Sequence, residues 1–116
     1  IQRLKTMQPK ARFFLMTMPR GRAEGDEPTL AHQKLLHDLE KYFDYTYVLD
    51  FTEYAPVYDD EFKKKFYLGG HMNPAGYILT AKMTMSNIHY IIRHNMEDFA
   101  QVGFIGKDVH NYTAKW

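Results

Sequence analysis

Arg12-Phe13-Phe14-Leu15-Met16-Thr17-Met18, stopped by Pro19, is the stretch on which the fold turns. A short apolar run closed by proline reads as a β-strand buried on both faces, and such strands sit inside parallel sheets. Residues 19–28 hold Gly21, Gly25, Asp26 and two prolines and read as a loop. Beyond it Leu35, Leu36, Leu39, Tyr42 and Phe43 recur at helical spacing, which predicts an amphipathic helix over about 29–43 with Asp26 or Thr29 as its N-cap. Tyr45-Thr46-Tyr47-Val48-Leu49-Asp50-Phe51 is rich in β-branched and aromatic residues and predicts a second strand over about 45–51. Strand, helix and strand in that order imply a right-handed parallel crossover.

Farther along, residues 52–72 lack a convincing period and end in Leu68-Gly69-Gly70, so a long loop is expected, with a helical turn around 60–65. Asn73-Pro74 then opens a helix over about 74–95, because Asn is a favoured N-cap and Pro is preorganised for the first helical position. Along that helix Tyr77, Ile78, Ala81, Met85, Ile88, Ile91 and Ile92 fall on one side and are expected to pack; Lys82, Ser86, Asn87, Tyr90 and Arg93 lie outside the stripe. The tail over 96–116, with Phe99, Val102, Phe104, Ile105 and Trp116, is expected to wrap over the core with little regular structure.

Two parallel strands cannot bury themselves, since each needs hydrogen-bonding neighbours and helices on both faces. Residues 1–116 are therefore read as the C-terminal half of one α/β domain, a flavodoxin-like three-layer αβα fold with a parallel sheet. Its earlier strands are expected in sequence upstream of Ile1, which is not a Met. The alternative is a small unit that self-associates as a homo-oligomer across its exposed edge.

With 45% hydrophobic and 16% aromatic residues the chain has enough apolar surface for a core, which argues against disorder. A net charge of +1 calls for neither nucleic acid nor an anionic membrane as partner. The absence of cysteine excludes disulfides and thiolate metal sites and favours a cytoplasmic location. Ile1 to Lys10 has neither the charged start nor the apolar stretch of a signal peptide, and no run of eighteen apolar residues occurs.

The chemistry concentrates in Leu68-Gly69-Gly70-His71-Met72-Asn73-Pro74-Ala75-Gly76-Tyr77. Glycines let the backbone bend sharply enough to aim the following ring into a cleft. The positive end of a helix disfavours imidazolium, and the neutral ring is the form that takes a proton from a hydroxyl. By itself the placement favours a surface histidine beside a well-made helix start over a catalytic one.

The run Gly70-His71-Met72-Asn73-Pro74-Ala75-Gly76-Tyr77 resembles the last conserved block of the SGNH (GDSL-like) serine ester hydrolases, Asp-x-x-His followed by x-Asn-x-x-Gly. The resemblance implies that His71 is the general base of a carboxylester hydrolase, an acyl- or acetyl-esterase acting on small-molecule or carbohydrate esters without a cofactor. It also implies a nucleophilic serine in a Gly-Asp-Ser motif, which this chain lacks: Gly25-Asp26 is followed by Glu27, and the only serine is Ser86, in the middle of a helix. The chain alone is thus expected to be inactive, its serine lying in a missing N-terminal half. Where the family has Asp, Leu68 stands. A backbone carbonyl from the Phe66 to Gly70 turn, or Asp59, Asp60 or Glu61, would have to orient the ring in its place. A binding or interaction module that kept the fold and lost the chemistry is the rival reading.

Arg20, Arg22, Tyr67 and Asn73 are candidates for substrate contact. The two arginines follow the first strand, where open α/β sheets bind ligands. Tyr67 closes an aromatic group with Tyr54, Tyr58, Phe62 and Phe66 ahead of His71. His32 with His37, and His89 with His94, are spaced five apart, rotated about 140° on a helix, so no metal is expected there.

Overall fold

The computed structural model describes residues 1–100. It is a mixed α/β structure in which β1 (Phe13–Met16) pairs in parallel with β2 (Thr46–Leu49), Phe13 opposite Thr46 and Met16 opposite Leu49. The ladder runs one residue past β1, where the Thr17 N–H donates to Leu49 O at 3.0 Å. Strand β2 stops at Leu49 because Asp50 turns its carboxylate back onto the Glu53 N–H and caps a single helical turn, α3 (Phe51–Tyr54). Ahead of β1 lies a short helix, α1 (Gln2–Met7), none of whose residues is buried.

Between the strands runs α2 (Glu27–Tyr42). Its start is set locally. Asp26 accepts from the Thr29 N–H at 2.8 Å, Pro28 occupies the first turn, and Gly25 supplies the positive φ of 73° that leads into the cap. Asp26 is therefore the N-cap, and Thr29 is the buried residue it serves.

The stretch that reads as a long loop is structured. It holds α3, then α4 (Asp60–Phe66) capped by Asp59, then a small antiparallel hairpin of β3 (Tyr67–Leu68) and β4 (His71–Met72). Gly69, at φ 65°, makes the two-residue Gly-Gly turn between them. The long helix α5 (Pro74–His94) follows, with the Asn73 side chain accepting from the Gly76 N–H at 2.8 Å. After it a last turn, α6 (Met96–Phe99), buries Phe99 against Phe14 and Tyr47. The remaining tail residues Val102, Phe104, Ile105 and Trp116 lie outside the described residues.

The core gathers around Leu49, Phe51 and Ala55, with Phe14, Met83, Ile88 and Ile91 packed against it. This corrects the expected stripe on α5. Ile88, Ile91 and Ile92 pack, but Tyr77, Ile78 and Met85 are 58%, 57% and 45% exposed. The packed face is turned round the helix from the expected one: Gly76, Thr80 and Met83, outside that stripe, meet Phe66, Met72 and the core, while Met85, within reach of the core, faces outward. Met83 lies by Phe51 and Ala55 and Ile91 by Val48, so α5 runs antiparallel to β2.

Each sheet among the described residues has only two strands, fewer than a flavodoxin-like layer. The two strands differ. Three of the four residues of β2 are buried, whereas no residue of β1 is, although Phe-Phe-Leu-Met is the more apolar sequence. Main-chain groups of Phe14 and Met16, which alternate away from β2, find no partner among the described residues. On the opposite edge the outward Val48 N–H donates to the Glu40 carboxylate at 2.7 Å. One edge is thus stoppered by a side chain and the other is bare. Among the described residues no helix is long and apolar enough to cross a membrane.

Candidate functional site

His71 stands on the hairpin directly across from Leu68. Both residues are exposed, and the His71 ring makes no hydrogen bond among the described residues. The surroundings of the ring are fixed by its neighbours. Asn73 ties three elements together: its main-chain N–H donates to Phe66 O and its side-chain amide to Lys65 O, both at 2.8 Å, while its side-chain oxygen caps α5. At Gly76 a Cβ would sit 2.4 Å from Phe66 O, so only glycine lets α5 approach the end of α4 this closely. The Asn and Gly at these spacings therefore hold the hairpin against the start of the helix.

Aromatic rings form the base of this hairpin. Tyr58 stacks on Phe62 with centroids 4.1 Å apart, Phe62 packs on Phe66, and Tyr67 meets Tyr58 and Phe62 edge-on at 6.3 Å. Tyr67 is thereby a packing residue, and Tyr54 stands apart from the group, 76% exposed. The Tyr58 N–H donates to Arg20 O at 2.7 Å, which joins the loop after β1 to the base of the hairpin. The Arg20 guanidinium bonds Ala23 O within its own loop and leaves its buried Nε unpaired; Arg22 is exposed. His71, Tyr67 and Arg20 thus lie on the carboxyl side of the strands, the side where open α/β sheets bind ligands.

The acids offered as orienters of His71 are engaged elsewhere or free in solvent. Asp59 caps α4 through Phe62 N at 2.9 Å, and Glu61 pairs with Lys64 at 3.1 Å in an exposed contact of little energetic weight. Phe66 O, a carbonyl of the preceding turn, is taken by Asn73.

A second constellation, not singled out in the sequence, centres on Asp50 at the tip of β2. Its carboxylate accepts from Thr17 Oγ1 at 3.2 Å, Gln33 Nε2 at 3.1 Å, Glu53 N at 3.0 Å and His37 Nε2 at 2.6 Å. His37 Nδ1 faces Glu40 at 3.4 Å, and Glu40 in turn holds the Val48 N–H. The bond to Asp50, aided by Glu40, raises the His37 pKa above its ordinary value against the opposing effect of burial. Burial pushes the Asp50 carboxyl up, but hydrogen bonds from His37, Gln33 and the Glu53 N–H outweigh it, and the net direction is down. The one sequence cue was an acid closing an apolar strand, the position at which such sheets place polar function.

A cavity of about 590 Å³ opens beside this cluster, with His37, Asp50 and Ser86 all in its wall. Serine, histidine and aspartate in one cavity suggest a nucleophilic triad, and the bonding excludes it. Both His37 ring nitrogens face carboxylates, so neither is available to take a proton from Ser86. Among the described residues no group of three or more His, Asp or Glu could hold a metal ion. Compared with known proteins, the chain matches no family model, no curated protein and no solved structure.

Proposed function

We propose that the chain is the C-terminal part of an SGNH-like carboxylester hydrolase, acting on acyl or acetyl esters, carbohydrate esters among them, with His71 as its general base. The observation that carries this reading is the state of His71: an exposed residue whose ring makes no hydrogen bond among the described residues, held by a glycine turn ahead of an Asn-capped helix, on the carboxyl side of a parallel strand pair. The nucleophilic serine belongs to polypeptide outside this sequence. Its strands would join the bare edge of β1 and complete a three-layer flavodoxin-like sheet, burying the apolar residues that β1 leaves half-covered.

In that assembly the serine hydroxyl attacks the ester carbonyl carbon while His71 takes its proton. The tetrahedral intermediate then collapses, the alkoxide leaves with the proton returned by His71, and water repeats the sequence on the acyl-enzyme. Ser86 has no part in it. Hydrolysis of p-nitrophenyl acetate by the 116-residue chain should stay at the uncatalysed rate; turnover lost on Ser86→Ala would overturn the assignment. Adding the serine-bearing segment should restore hydrolysis that requires His71.

A non-catalytic binding module on the same fold is favoured by a separate observation: no acceptor among the described residues orients the His71 ring, and its cross-strand partner is Leu68. Assembly with the upstream segment that gives a stable complex but no ester hydrolysis would establish that reading instead.

A further inference from the structure

The cavity beside Asp50 lies away from the hairpin, and no hairpin residue lines it. It is bounded by α2, the outer edge of β2, α3 and the second half of α5. Its volume of about 590 Å³ falls in the range of small-molecule sites. The adjoining cavity of about 250 Å³ shares Tyr54, Ser86 and Asn87 with it.

A strand does not fit this space, because the outward Val48 N–H is already bonded to Glu40 and a strand would have to displace that carboxylate. The groups left over for a ligand are specific. Thr80, Thr84 and Asn87 on α5 each bond the carbonyl one turn back, but Ser86 does not, and its hydroxyl has no partner among the described residues. Asn87 spends its amide hydrogen on Met83 O and keeps its side-chain oxygen free. Glu40 retains acceptor capacity. Tyr54 and Tyr90, 76% and 62% exposed, line the same cavity, and one face of the Tyr90 ring is stacked on His94 at 4.0 Å. His37, held between Asp50 and Glu40, offsets part of their negative charge.

We infer that this cavity binds a neutral hydroxylated ring, a pyranose unit, with Tyr54 and Tyr90 against its C–H face and Ser86, Asn87 and Glu40 taking its hydroxyls. Apolar ring faces beside a few convergent hydrogen-bonding groups suit a ligand that is apolar on its faces and polar at its rim. The site is independent of the ester chemistry proposed for His71.

The test is an NMR titration of the full chain with glucose and N-acetylglucosamine, following the tyrosine ring signals, with choline chloride as the cationic probe. Saturable shifts of Tyr54 and Tyr90 with a sugar are expected, weakened about tenfold by Tyr90→Ala and by Ser86→Ala, and unchanged by Tyr77→Ala on the first turn of α5. These are exposed positions, so an unchanged melting temperature should accompany each substitution. No saturable shift with either sugar, tighter binding of choline, or equal weakening by Tyr77→Ala would overturn the inference.

Discussion

His37, within α2, and His71, on the hairpin ahead of α5, end in opposite states. His37 has Asp50 at 2.6 Å on one nitrogen and Glu40 at 3.4 Å on the other, and it joins α2 to the tip of β2. His71 has neither nitrogen engaged among the described residues and stands on a hairpin secured by the contacts of Asn73 and Gly76. An imidazole clamped between two carboxylates stabilises a fold and is a poor base; an unengaged one contributes little to stability and can move a proton. The difference teaches that the partners of a ring, more than its burial, separate the structural histidine from the candidate catalytic one.

Exchanging the two roles by mutation is the sharpest way to break that contrast. In the assembly containing the nucleophile, His71→Ala should lower ester hydrolysis by about 10³-fold or more while leaving the melting temperature unchanged. A near wild-type rate would make His71 structural after all. Next in size, Asp50→Ala should cost about 2–4 kcal/mol in urea unfolding, because it removes the cap of α3 and the common acceptor of Thr17, Gln33 and His37. Gly76→Ala should cost about 1–3 kcal/mol, since its Cβ would meet Phe66 O and push the hairpin off α5. Its signature would be a shift of His71 resonances, which Asp50→Ala should not produce.

The smallest effect is in the pH dependence. His37 has its pKa raised on folding, so its contribution is full below its unfolded value near 6.5 and fades as pH rises through the folded one. Asp50 has its pKa lowered, so its contribution is present above 3.8 and is lost as pH falls through the folded value. Stability from this pair should therefore plateau between those limits and decline above about pH 6.5, and His37→Gln should flatten the alkaline decline. Equal slopes in chemical unfolding of both proteins would show that the clamp carries no charge.

Much of the architecture was legible because it is decided locally. Asn73 and Pro74 announced α5, and Asp26, one of two candidate caps, announced α2, since a cap is made by residues within one turn of each other. The parallel pairing followed from two apolar runs separated by an amphipathic helix. The hairpin carrying His71 was missed because two-residue strands have no measurable period, although Gly69-Gly70 between Leu68 and His71 is itself a turn signal. The packed face of α5 was misjudged because an apolar period passes over Gly76 and Thr80, a small and a polar residue that tertiary packing turns inward.

The sequence by itself determined where helices begin, which runs pair as strands and which histidine follows a glycine turn, for these depend on neighbours along the chain. Tertiary packing alone assigns His37 to Asp50 and Glu40, closes one edge of the sheet with Glu40, and leaves the other edge, on β1, without a partner among the described residues. Those outcomes rest on contacts between separate elements, whose geometry is set by packing rather than by any local pattern of residues.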